Sequence, residues 1–246
     1  MSSSGTIGIG EAPQLSCPNP ANTIGCSTYA EYDDGASVFD EYWNFSGTSL
    51  PSSWQTTKYF NGSINDGLIF NSDGYFQGII QNLPYSYSDI IVETYGKYTS
   101  LLSLTVCLSK NKPEPQHLWY NMTNGYCFIT HYNGTNYRLY DFIVINNAPI
   151  SLGIIMGSPN NPIFDTTKPN NYYIISDYYI SPILEQIVSN GDKASTYNNT
   201  FSSLNYLGLF AGLNFLGLST EGSWMINWVR VRNSPPNGVM PSVIIK

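Results

Sequence analysis

From residue 38 onward the sequence is a succession of short apolar or alternating runs, rich in Tyr, Ile, Val, Phe and Thr and bounded by Gly, Asn, Pro, Ser or Asp. The clearest are 67–70, 90–95, 101–108, 126–132, 137–145, 172–175, 207–213 and 224–232. β-Branched and aromatic side chains crowd a helix but pack well on a pleated surface, and frequent turn residues leave little room for long helices. The pattern predicts an all-β chain built as a sandwich or barrel. One stretch, 182–189, admits either a two-turn helix, with Ser181 as N-cap and Pro182 at the first position, or a strand. A length of 246 residues suits one large β domain. Residues 1–35 have little periodicity and read as an extended arm, 36–233 as the domain, and 234–246 as a tail opened by Pro235 and Pro236.

The surface of such a domain must be unusual. Charged residues make up only 11% of the chain, against about 25% in ordinary domains. Twenty tyrosines and many Asn, Ser, Thr and Gly replace them, while 42% hydrophobic residues supply a core. Neutral polar groups and phenols suit an extracellular setting and partners that stack or hydrogen-bond. Ten basic against seventeen acidic residues give a net charge of −7, and Lys110 with Lys112 is the nearest approach to a basic cluster. That balance argues against nucleic acid, whose binding draws on clustered cations. No apolar run reaches the 18 residues of a membrane span, so membrane insertion is not expected. No charged-then-apolar leader opens the sequence.

Four cysteines, Cys17, Cys26, Cys107 and Cys127, allow three pairings, of which the most local joins Cys17 to Cys26 and Cys107 to Cys127; buried free thiols are the competing reading. There is no CxxC spacing and there are only two histidines, His117 and His131, which argues against zinc. Five Asn-x-Ser/Thr sequons, at Asn44, Asn61, Asn121, Asn133 and Asn198, are candidate glycan acceptors.

Hydrolytic chemistry lacks its motifs. No Gly-x-Ser-x-Gly is present. Recognition has more to work with, because aromatic faces meet sugar C–H patches while amides and carboxylates read hydroxyls. Candidate clusters are Trp119-Tyr120-Asn121, Tyr132 with Asn136-Tyr137, Tyr172-Tyr173, and Asp177-Tyr178. Trp43, Trp54, Trp224 and Trp228 read as core. Along the final run strict alternation puts Trp224, Ile226, Trp228 and Arg230 on one face and Met225, Asn227, Val229 and Val231 on the other.

The opening segment Val38-Phe39-Asp40-Glu41-Tyr42-Trp43-Asn44-Phe45-Ser46-Gly47-Thr48-Ser49-Leu50-Pro51 and the closing Trp224-Met225-Ile226-Asn227-Trp228-Val229-Arg230-Val231-Arg232 carry a resemblance. So does the tail Pro235-Pro236-Asn237-Gly238-Val239-Met240-Pro241-Ser242-Val243. Together they resemble the concanavalin A-like lectin/glucanase superfamily, and within it the DUF2341-like domains of archaeal surface and archaeal viral proteins. The resemblance implies a two-sheet antiparallel jelly-roll sandwich, with first and last strands adjacent and a glycan-binding face. Retaining glucanases of that superfamily carry Glu-x-Asp-x-x-Glu on one strand, which places two carboxylates about 5–5.5 Å apart. This chain has no such spacing, and Glu93 stands alone among Ile, Val and Thr, so no enzyme is expected. The superfamily's structural calcium implies a weak site at Asp40 or Glu41 with Asn227, where Asn replaces the usual Asp; a simple hydrogen bond from Asn227 to backbone is the competing reading. No other cofactor is expected. The expected protein is thus a non-catalytic, extracellular, cell-surface or virion-surface recognition module, used for adhesion or viral attachment, whose partners are surface glycans or glycoproteins and other subunits of a surface assembly. A purely structural subunit is the alternative.

Overall fold

The computed structural model describes residues 39–73, 77–98, 104–113, 124–132, 137–146, 148–156, 172–180, 183–188, 193–198, 200–211 and 221–233. The arm 1–35, the tail 234–246, Cys17, Cys26, His117, Trp119, Tyr120, Asn121, Asn133 and Asn136 lie outside them.

Every described element is a strand: β1 (Glu41–Asn44), β2 (Trp54–Thr56), β3 (Gly62–Ile64), β4 (Leu68–Asp73), β5 (Gln77–Tyr87), β6 (Asp89–Tyr98), β7 (Leu104–Ser109), β8 (Gly125–Tyr132), β9 (Tyr137–Ile145), β10 (Ala148–Met156), β11 (Tyr172–Ile180), β12 (Ile183–Val188), β13 (Lys193–Tyr197), β14 (Leu204–Ala211) and β15 (Glu221–Asn233). They form two antiparallel sheets. The eight-stranded sheet runs β13-β12-β11-β6-β15-β4-β3, with β1 also on β15, and the seven-stranded sheet runs β10-β9-β8-β7-β14-β5-β2. This is the all-β jelly-roll sandwich that the sequence implies.

The core lies between the sheets. Leu68, Ile90, Val92 and Val229 of one meet Ile79, Val106, Phe128 and Leu209 of the other in a single buried cluster. Tyr179 spans the gap, its hydroxyl donating to the Val106 carbonyl at 3.1 Å. Within the stretch 182–189, the described residues Ile183–Val188 form a strand rather than a helix. An isolated two-turn helix is marginal in water, whereas β12 pairs with β11 on one side and β13 on the other and buries Leu184 and Gln186.

The final strand departs from strict alternation. Trp224, Ile226, Val229 and Val231 all enter the inter-sheet core, while Trp228 belongs to a separate cluster with Tyr95. The cause is a β-bulge: Ile226 pairs with Gly96 and Trp228 with Tyr95, so Asn227 is an extra residue opposite β6. A Cβ on Gly96 would collide with the Met225 carbonyl oxygen, which is why glycine faces the bulge. Asn227 also marks the point where the other flank of β15 passes from β4 to β1. Its carbonyl accepts from Phe45 N at 3.0 Å, and its Nδ2 donates to the Asp66 carbonyl at 3.0 Å. First and last strands are therefore adjacent, tied again where Asp40 Oδ2 accepts from Asn233 N and Nδ2 at 2.8 and 2.9 Å.

Candidate functional site: the outer face of the eight-stranded sheet

On the outer face of the seven-stranded sheet, Ile80, Cys107, Cys127, Ile129 and Phe210, which alternate with core residues, are buried and mostly apolar. Cys107 and Cys127 are direct register partners across β7 and β8 and form a disulfide there.

The outer face of the eight-stranded sheet carries different chemistry. On β6, Ile90 and Val92 point inward, so Ile91, Glu93, Tyr95 and Lys97 point out. Beyond its bulge β15 adds Trp228, Arg230 and Arg232 to that side, and β11 adds Tyr172, Ile174, Ser176 and Tyr178. Three rings form a row across three strands: Trp228 stacks on Tyr95 at 5.3 Å between centroids, and Tyr95 on Tyr172 at 5.2 Å. Tyr42 of β1 extends the row, 6.4 Å from Trp228. Tyr95 and Trp228 are buried, while Tyr42, Tyr172 and Tyr178 are half-buried.

Beside the rings sits an ionic knot. Glu93 Oε2 accepts from Arg230 Nε at 2.7 Å and lies 3.4 Å from Arg232 Nε, and Glu93 Oε1 accepts from Ser176 Oγ at 3.1 Å. The Arg230 guanidinium stands over two rings, 4.3 Å from the Phe39 centroid and 4.8 Å from that of Trp228. At the other end of the row Lys97 Nζ stands 5.9 Å from the Tyr172 centroid. Burial raises the Tyr95 phenol well above the ordinary tyrosine value, with Tyr172 adding to the effect. Burial also raises Tyr172 and Tyr178, where Glu93 and Glu185 add to the rise and Arg232 opposes it. These phenols therefore remain neutral O–H donors at neutral pH.

Of the residues singled out in the sequence, Tyr172 and Tyr178 share this face, six residues apart on β11. Tyr173 lies on β11 opposite Gly96, and Tyr132 and Tyr137 are register partners at one end of the β8–β9 pair in the other sheet, apart from this face. Asp177 does not belong to a surface site. It shares the parity of Ile175 and Tyr179, is fully buried, and accepts from Gln186 Nε2 at 2.7 Å. Trp43, Trp54 and Trp224 are core, as expected, but Trp228 is part of the outer row. Glu93 takes its partners from other strands, Arg230 and Arg232 of β15 and Ser176 of β11. Alternation along β6 could have placed Glu93 and Tyr95 on one face, but their meeting with Arg230 and Trp228 depends on a register the sequence does not display.

The residues do not fit the implied calcium. Glu41 pairs with Val231, four positions from Asn227 and so about 13 Å along the strand. The Asn227 amide nitrogen is already spent on the Asp66 carbonyl, and Asp66 Oδ1 accepts from Gly47 N at 2.9 Å. Asn227 Oδ1 is buried without a hydrogen-bond partner, one neutral oxygen where a hard cation wants several with charge. Among the described residues no group of three or more His, Cys, Asp or Glu could hold a metal.

Among the sequons, Asn44 and Asn61 are exposed. Asn198 is half-buried, its Oδ1 accepting from the Tyr126 hydroxyl at 3.1 Å and from Thr200 N at 2.9 Å.

No family model and no curated protein matches this chain. Solved structures do match it. The Emp47p carbohydrate recognition domain shares 15% identity at a TM-score of 0.55, covering 82% of this chain and 99% of that one. A β-agarase A in complex with oligoagarose shares 13% at 0.55, covering 78% and 90%. LamAcat from Zobellia galactanivorans shares 12% at 0.55, covering 79% and 97%. The shared fold is the two-sheet antiparallel jelly-roll sandwich. At these identities the likeness extends to the fold alone. Among the described residues no helix is long and apolar enough to cross a membrane.

Proposed function

We propose that this protein is a non-catalytic glycan-binding module that works outside the cell, on a cell or virion surface, through the outer face of the eight-stranded sheet. The observation that carries the reading is the ring row Trp228–Tyr95–Tyr172 set beside fixed polar groups on that face. Sugar rings present C–H patches that suit aromatic faces, and hydroxyls that suit phenols, amides and carboxylates. Both faces of Tyr95 are occupied by its neighbours, so the half-buried Tyr172 and Tyr178 offer the contact surface. The fold supports the reading too, since one protein that shares it is named a carbohydrate recognition domain and another is in complex with oligoagarose. The archaeal surface or viral setting, with adhesion or attachment as its use, follows the DUF2341-like resemblance.

Glycoside hydrolysis needs two carboxylates about 5–9.5 Å apart with oxygens open to substrate. Both oxygens of Glu93 are engaged. Glu185 sits two strands and two rows away, about 12 Å by sheet spacing. This supports recognition without cleavage.

Glycan-array binding of the purified, sized protein tests the proposal. Binding to one sugar class should weaken about tenfold, the equivalent of about 1.4 kcal/mol, in Tyr172→Ala, and should survive Tyr197→Ala on the β13 edge. Absence of binding to any sugar by the folded protein would overturn it. One observation favours a structural subunit instead: Ile183 and Tyr197 are register partners at the sheet rim and are 53% and 72% exposed. Sedimentation as an assembly that Tyr197→Glu dissolves, together with no glycan binding, would establish that reading.

A further inference from the structure

The Asn44 sequon sits at the β1 end of the aromatic row. Asn44 is the last residue of β1, and the chain beyond it runs through the exposed Ser46 to Gly47, whose φ of 80° turns it away. Trp43 and Phe45 are both in the core, so Asn44 points to the outer face with Tyr42. Its register partner is Trp228, which puts the two Cβ atoms about 4.5–5.5 Å apart, and Tyr42 lies about 7 Å along the same strand.

The amide is also arranged for reaction. Ser46 Oγ donates to Asn44 Oδ1 at 3.3 Å, so the sequon's own hydroxyl holds the carbonyl end. No described hydrogen bond involves Asn44 Nδ2, in contrast to the amide nitrogens of Asn227, Asn233 and Asn205, each of which donates within the fold. The other described sequons lack this combination. Asn198 spends its Oδ1 on Tyr126 and Thr200. Asn61 has its backbone fixed on both sides, donating to Gln77 Oε1 and accepting from Asn71 N.

We propose that Asn44 is an N-glycan acceptor whose first pyranose ring lies over Tyr42 and the edge of Trp228. In the transfer, Nδ2 displaces a lipid-linked diphosphate from the anomeric carbon of a glycosyl donor. The C–N bond forms, the anomeric C–O bond breaks with its electron pair leaving on the diphosphate, and the amide proton passes to a base of the transferase. The attached sugar covers the β1 end of the row and leaves Tyr172, at its β11 end, to an external ligand. The proposal does not depend on that ligand.

The test is secretion of the full chain from an N-glycosylating host, followed by peptide mapping after amidase release in heavy-oxygen water. The Asn44 peptide should carry the label in most molecules, and Ser46→Ala, which leaves Asn44 in place, should remove it from that peptide alone. The protein trimmed to one sugar per site should melt about 2–4 °C above the Ser46→Ala protein, and Tyr42→Ala should abolish the difference. An unlabelled Asn44 peptide in folded protein overturns the acceptor assignment. A labelled peptide with no Tyr42-dependent shift overturns the packing of the sugar.

Discussion

Glu93 and Arg230 are the most consequential pair on the sheet surface, since both are nearly buried and each completes the other. A buried carboxylate and guanidinium roughly break even against apolar replacements, but removing one partner strands the other. Glu93→Gln should therefore destabilise the fold by about 3–5 kcal/mol, read by urea unfolding, whereas a loss within experimental error would mean that solvent already screens the pair. At this scale the sequence was legible in part. Tyr172 and Tyr178 stood out in two separate clusters and do share the candidate face. Asp177 stood beside Tyr178 and yet lies in the core, because residues of one parity on β11 all face inward and Gln186 supplies the hydrogen bond that an inward carboxylate requires. Glu93, Arg230 and Trp228 were not legible as a group. They lie on different strands, and only the register between β6 and β15 brings them together.

Strands explain why that register holds. The bulge at Asn227 absorbs one residue, so that Val229 and Val231 rejoin Trp224 and Ile226 in the core while Trp228 and Arg230 turn outward. Sequence alternation alone inverts this second half of β15, because an unpaired residue leaves no mark in a period of two. Gly96 is the complementary half of the device. Gly96→Ala should cost about 1–3 kcal/mol through overpacking against the Met225 and Ile226 backbone, measured by thermal melting; an unchanged melting temperature would show that the two strands can part there. A second irregularity hid β5 from the run pattern. Pro84 falls between Asn82 and Tyr87, where a register shift leaves β5 without partners on β14, so the strand tolerates a residue that lacks an N–H. Across β7 and β8 the Cys107–Cys127 disulfide closes a sequence separation of 20 residues. The double variant Cys107→Ala, Cys127→Ala should lose about 3 kcal/mol of stability, and a much smaller loss would mean that the hairpin is already ordered in the unfolded chain.

The whole molecule is a sandwich with many buried or half-buried phenols, and its response to alkali should follow from that. Run composition and the two terminal motifs made the jelly roll legible, but strand order and the choice of open face depend on long-range pairing and were not. Burial raises the phenols of Tyr95, Tyr126, Tyr172 and Tyr178. It pushes Tyr87 up to about 12, with Asp40, Glu41 and Tyr85 adding to the rise. An unfolded chain ionises its tyrosines near pH 10. Below that value both states keep these protons and the tyrosines impose no pH dependence. Above it the native state binds more protons than the unfolded one, so stability falls with rising pH until the folded groups ionise in turn. The melting temperature should be level from neutral pH to about 9.5 and decline beyond about 10. Tyrosinate absorbance should show a fraction of the rings titrating only as the native circular dichroism is lost. If all twenty tyrosines instead ionise near pH 10 while the fold persists, the ring row is open to water. The sheet face would then be a loose aromatic surface rather than the preorganised platform that sugar recognition requires.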